Sequence, residues 1–255
     1  MAQAVILWVA LLAGPQSTDS GHRAPLRAEP LQAGYDASAF KPIDAVIIDS
    51  DGYLAAHPDQ RFRLLGAKAR REGRSGEARE HFRQAARYAD KLSQGVLAEM
   101  YWNGEGGERD RVLGYVWMDL AAERGAPLLI AHRERYWSRM THRERAEAKR
   151  LGRAIYAEYG DEVAKPRLAR KLVTASRRVT GSRLGWVGNL TICMDPSAGQ
   201  CGALVTGEQY YADRYWNPAK YWEWQDRMLL TPTNSGEVEV GPVEAVRQQD
   251  GGKER

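Results

Sequence analysis

Five sets of residues in this 255-residue chain have types and spacings that could do chemistry. The run Asp49-Ser50-Asp51-Gly52 sets two carboxylates ahead of a glycine, as at the start of a calcium loop or in an aspartate pair for phosphoryl transfer. No acid follows at the spacing that would close a calcium loop, so these residues read as a turn or helix cap. The histidines His22, His57, His81, His132 and His142 are scattered, and no pair has metal-ligand spacing with an acid nearby. Neither a Gly-x-Ser-x-Gly elbow nor a phosphate loop occurs. We therefore expect no catalytic residue, no metal and no cofactor. Cys193 and Cys201 flank the turn formers Asp195-Pro196-Ser197-Ala198-Gly199. They can close a short loop as a disulfide in an oxidising compartment or stand as free thiols in the cytosol.

The remaining two sets are basic and aromatic. Arg133, Arg135, Arg139, Arg143, Arg145, Lys149, Arg150 and Arg153 are followed by Lys165, Arg167, Arg170, Lys171, Arg177, Arg178 and Arg183. They read either as solvated helix faces with i, i+4 pairs or as a patch for an anionic envelope surface or acidic protein. A net charge of +4 is mild over this length and does not point to nucleic acid. Twelve Tyr and eight Trp against three Phe suit half-buried surfaces, where one end of a ring packs and the other hydrogen-bonds. The dense run Tyr210, Tyr211, Tyr215, Trp216, Tyr221, Trp222 and Trp224 is expected to pack a small region against its neighbour.

The elements that must position these groups are clearest at residues 97–125. Leu97 and Tyr101 lie one helical turn apart. Gly104, Gly106 and Gly107 break that helix, and Asp110 is a suitable N-cap for the next. Leu113, Trp117, Leu120 and Ala121 make its apolar stripe. Ala98, Gly114, Ala121 and Ala122 are small enough for two helix axes to approach closely. Trp102 points away from the stripe, to be capped by the next unit or left open to a partner. A folded-back helical pair cannot bury both its faces, so it needs neighbours. Ala78, His81, Phe82, Ala85 and Ala86 repeat the pattern of Gly114, Trp117, Met118, Ala121 and Ala122, in the class of repeats of ~34 residues. A third pair follows, residues 128–140 and then a helix entered through the capping box Thr141-His142-Arg143-Glu144.

The order Leu97-Ala98-x-x-Tyr101-x-x-Gly104-x-Gly106-x-x-x-Asp110, then Trp117 and Ala121-Ala122-x-x-Gly125, resembles the Sel-one-like repeat, a relative of the tetratricopeptide repeat. The chain departs from that pattern at Ala98, where glycine is usual, and at Gly107, where valine is usual; the second departure is expected to loosen the turn. The resemblance covers residues 60–160. It implies a mostly α fold, a short α/α solenoid, and a non-enzymatic scaffold that docks a protein or peptide in a groove of stacked hairpins. On helix-face position, Glu99, Trp102, Asn103, Arg135 and Trp137 are the expected groove contacts. A cell-envelope hydrolase acting on cell-wall or β-lactam-like compounds, and a binder of anionic envelope polymers or lipids, are the alternatives.

Around that block the expected organisation is a signal peptide at 1–20, an extended tether at 21–58, and repeats at 59–160. A small mixed α+β region at 161–247 and a frayed tail at 248–255 complete it. The apolar run at residues 4–13 is too short to span a bilayer and fits a signal-peptide core. Export to the periplasm or medium is expected, with the cytoplasm as the setting if that run is instead a buried strand or helix. Oligomeric state is not legible.

Overall fold

The computed structural model describes residues 42–179, 190–194 and 201–230; the expected signal peptide and the tail lie outside them. Three helical hairpins form the middle of the chain. The first is α3 (Pro58–Arg71) with α4 (Ser75–Ala86), and the second is α5 (Lys91–Asn103) with α6 (Arg111–Ala121). The third is α7 (Pro127–Ser138) with α8 (His142–Tyr159). Ahead of them lie α1 (Pro42–Ile48) and α2 (Asp51–Ala56). After them come α9 (Asp161–Val179), β1 (Thr191–Met194), β2 (Ala203–Thr206), α10 (Gly207–Tyr210), α11 (Asp213–Trp216) and α12 (Pro218–Leu230). The fold is mostly α, a short α/α solenoid with a small mixed region, as expected from the sequence.

Helix ends form where the side chains can satisfy them. Pro58 and Pro127 start α3 and α7, at the position where a missing N–H costs nothing. The Asp90 carboxylate accepts from Ser93 N at 2.7 Å, and Asp110 accepts from Leu113 N at 2.8 Å. The Thr141–Glu144 capping box is present at the head of α8. Ser50 caps α2 by accepting from Tyr53 N, so the Asp49–Gly52 run is a helix entry.

The helix α5 is the centre of the stack. Only Leu92 and Asn103 escape full burial along its length. Tyr101 and Trp117 are 9% and 2% exposed, inside one apolar cluster that runs from Ala67 to Tyr159. Gly114 lets α6 close on α5: a Cβ there would come within 2.9 Å of the Trp102 amide nitrogen. In the turn between α5 and α6, Gly106 has φ +77°, and a Cβ on it would fall 2.3 Å from the Ser75 carbonyl oxygen. The turn of one hairpin therefore rests on the start of the previous hairpin's second helix.

Two expectations need correction. Residues 42–56, assigned to an extended tether, form α1 and α2. Ile47, Ile48 and Tyr53 are buried in a second apolar cluster with Leu168, Leu172, Val205, Tyr215, Tyr221 and Trp224. These apolar partners lie more than a hundred residues away, so the local sequence carried no periodic signal for them. Gly107 does not loosen its turn. The space a side chain would fill is taken by the Arg79 guanidinium, which donates to Glu105 O at 2.7 Å and Met100 O at 3.1 Å. The two strands pair antiparallel with Cys193 opposite Leu204, and a disulfide joins Cys193 to Cys201.

Gly125 also has a positive φ (+80°) but faces open space. Gly125→Ala is expected to cost about 1 kcal/mol, the left-handed backbone term alone. Gly106→Ala is expected to cost clearly more, because a clash with the Ser75 carbonyl is added. Urea unfolding of the two variants checks the order.

Candidate functional site

The five expected groove residues do not share one open face. Glu99 and Trp102 are each 2% exposed. The Trp102 ring stacks on Tyr136 of α7 at 4.0 Å between centroids, and the Arg111 guanidinium lies 4.9 Å from its centre. Of the two fates open to Trp102, capping by the next hairpin is the one realised, and neither it nor Glu99 is available to a partner. Asn103 is half-buried at the end of α5, and Arg135 and Trp137 are half-buried on α7.

Trp137 gathers a surface around itself. Tyr115 of α6 meets it at 5.0 Å, ring to ring. From α8, the Arg145 guanidinium lies 4.8 Å from the ring centre and donates to Trp137 O at 2.8 Å, while Lys149 Nζ lies 6.0 Å from the ring. Beneath them Asp119 accepts from Tyr156 OH at 3.1 Å and faces Arg133 at 3.7 Å. Burial lifts the Asp119 carboxyl above its ordinary range and, with Asp119 beside it, pushes Tyr115 to about 12. Tyr115, Asp119, Arg145 and Lys149 were not among the expected contacts. Tyr115 could have been noticed, since it sits off the stripe that holds Trp117.

Another side of the stack is occupied by the chain itself. On α12, Tyr221 is buried; its hydroxyl accepts from Gln60 Nε2 at 3.0 Å and donates to the Asp59 carboxylate of α3. Arg63 of α3 joins Asp90, and the Ser93 and Gln94 side chains of α5 are buried close by. Arg124 ties the regions together. It donates to Asp161 at 2.6 Å, to Asp226 of α12 at 3.1 Å and to Ala89 O at 2.9 Å, and lies over Trp222 at 4.8 Å. Burial works to raise the Asp161 carboxyl, but Arg124 and Lys91 outweigh it and hold it below the usual carboxylate range. A cavity of about 20 Å³ remains there, between Lys91, Arg124, Trp222 and Gln225. The aromatic run of the second half packs as expected: Tyr215, Tyr221 and Trp224 are buried.

His57 lies in the same junction, stacked on Tyr53 at 3.6 Å. Its ring nitrogens sit 2.8 Å from the Tyr53 and Tyr215 carbonyl oxygens. Burial pushes its pKa down to about 4 and pushes Asp59 up to about 7, the latter with Asp90 adding to the effect. Among the described residues, no group of three or more His, Cys, Asp or Glu could hold a metal ion, and no helix is long and apolar enough to cross a membrane.

The architecture is that of α/α repeat proteins built from stacked helical hairpins. No family model matches the sequence, and no curated protein matches it. Among solved structures the chain is similar to c5321, described as a protective antigen present in uropathogenic Escherichia coli strains displaying an SLR fold. The identity is 21% and the TM-score 0.38, over 52% of this chain and 27% of the other. This chain thus spans about a quarter of that protein's length.

Asp59 and His57 predict opposing pH responses. Asp59 holds its proton more tightly folded than unfolded, so its contribution is full below about pH 4 and is lost as pH rises to about 7. His57 holds its proton less tightly folded, so its contribution is present above about pH 6.5 and is lost as pH falls to about 4. Each slope approaches about 1.4 kcal/mol per pH unit, and between those limits they offset one another. Relative to the parent, Asp59→Asn is expected to lose stability on acidification from pH 6.5 to 4.5, and His57→Gln to gain it, measured by urea unfolding at each pH.

Proposed function

We propose that the chain is a non-enzymatic scaffold that docks a protein or peptide on its stacked hairpins. One observation carries this reading. A close-packed helical stack presents a half-exposed aromatic pair, Tyr115 and Trp137, where α6, α7 and α8 meet. Rigid helices holding such rings at the surface suit recognition, because aromatic anchors dominate the energetics of protein interfaces. The α12 helix covers α3 and the start of α5, which favours α6–α8 as the docking side over a groove floored by Glu99 and Trp102. The apolar run at 4–13 and the Cys193–Cys201 pair support a setting in the cell envelope or outside the cell. Fold class alone does not assign function, so a partner has to be captured on the helical faces directly.

A photo-crosslinking residue placed in turn at Lys149, Arg139, Glu80 and Lys220 tests it in the native host. Discrete protein adducts from at least one helical face are the expected result. Absence of adducts from all four positions, with the variants folded, contradicts the scaffold reading.

A further inference from the structure

The surface around Trp137 has a chemistry that selects its partner. Arg145, Lys149 and Arg153 fall at i, i+4 and i+8 along α8, a single row. Arg145 is engaged with Trp137, whereas Lys149 and Arg153 are exposed and have no acidic partner among the described residues. Between residues 127 and 159 eight Lys and Arg stand against four Asp and Glu, so the third hairpin with its turn carries as much net charge as the whole chain. An open position lies next to that row. Gly152 lies on the face of α8 shared by Lys149 and Tyr156, and a Cβ built on it would meet nothing within 4 Å. This open position lies one turn beyond Lys149, whose ammonium reaches to 6.0 Å from the Trp137 ring, and it leaves room for one apolar side chain from outside.

We propose that this surface docks an acidic segment of a partner protein, with an apolar residue of the segment seated beside Gly152 against Trp137 and its carboxylates on Lys149 and Arg153. The charge excess selects the acidic character. The rings and the gap favour a peptide over a bare anionic surface, because head groups would use the cations and leave the gap unfilled. The inference rests on the scaffold reading and narrows it to one surface and one partner chemistry.

The test uses the full chain and three probes: a fluorescein-labelled 12-residue peptide alternating Glu and Leu, its Lys and Leu counterpart, and phosphatidylglycerol vesicles. Anisotropy is read at low and moderate salt. The acidic peptide is expected to bind and the basic one not. Binding is expected to weaken at least tenfold in the double variant Lys149→Glu with Arg153→Glu, and again in Gly152→Leu, which fills the gap. Lys68→Glu, on α3, is expected to leave it unchanged. Circular dichroism confirms that each variant is folded. Equal binding of both peptides, no binding of the acidic peptide, or an affinity that survives either change on α8 overturns the proposal. So does vesicle binding lost in the double variant while the acidic peptide goes unbound, which assigns the cations to a lipid surface. Crosslinks from Glu80 or Lys220 without any from Lys149 leave the scaffold reading standing and remove this surface from it.

Discussion

A folded-back pair of helices has an apolar face on either side of it, and alone it leaves one in water. The second hairpin shows the constraint in full, because α5 is buried nearly all round. Buried residues lie on every side of α5, Leu97, Met100, Tyr101 and Trp102 among them, so α5 needs α4 on one flank, α6 on the next and α7 on a third. Burial of each large side chain is worth roughly 1.5–3 kcal/mol against exposure, which no single hairpin could collect. Gly114 and Gly106 matter for the same reason. Each removes a side chain where another backbone arrives, at the Trp102 amide and at the Ser75 carbonyl. The stack is set by where the chain has no side chain as much as by where it has a large one.

The sides of the stack are finished in different ways. Against α3 and the start of α5, the chain supplies its own cover: α1, α2, α9 and α12 build a second core. The junction between the cores is largely polar, with Arg124, Lys91 and Arg63 set among four carboxylates, Asp90, Glu123, Asp161 and Asp226. Removing one partner of such a buried network leaves the others unpaired, so the arrangement fixes one geometry even where its net contribution is modest. At α7 and α8 the charges are instead turned outward, and the aromatic pair is only half covered. This asymmetry is what turns a repeat fold into a candidate interaction surface on one side only.

How far the sequence could be read follows from the range of each interaction. Asp110, Thr141 and the Tyr101 and Trp117 positions were legible because caps and helix stripes are written within a few residues. The α1 and α2 helices were not, because Tyr53 and Ile47 find their partners in Tyr215 and Trp224. Glu99 was misplaced for a simpler reason: a charged side chain in a helix is usually at the surface, and here a third hairpin closes over it. Trp102 posed a true choice, settled by Tyr136, whose position depends on how α7 packs. At Gly107 a departure from the repeat pattern suggested a weaker turn, yet Arg79 from the preceding hairpin occupies the space. Of the expected site, Asn103, Arg135 and Trp137 stay half-exposed, and the residues that join Trp137 come from helices not considered with it.

Native-state hydrogen exchange addresses the central claim most directly. If one continuous apolar seam holds the hairpins together, the amides of residues 95–103 in α5 exchange only when the whole stack unfolds, with the free energy and urea dependence of global unfolding. Exchange of those amides through low-energy local opening, as fast as that of the outer helix α8, would contradict it.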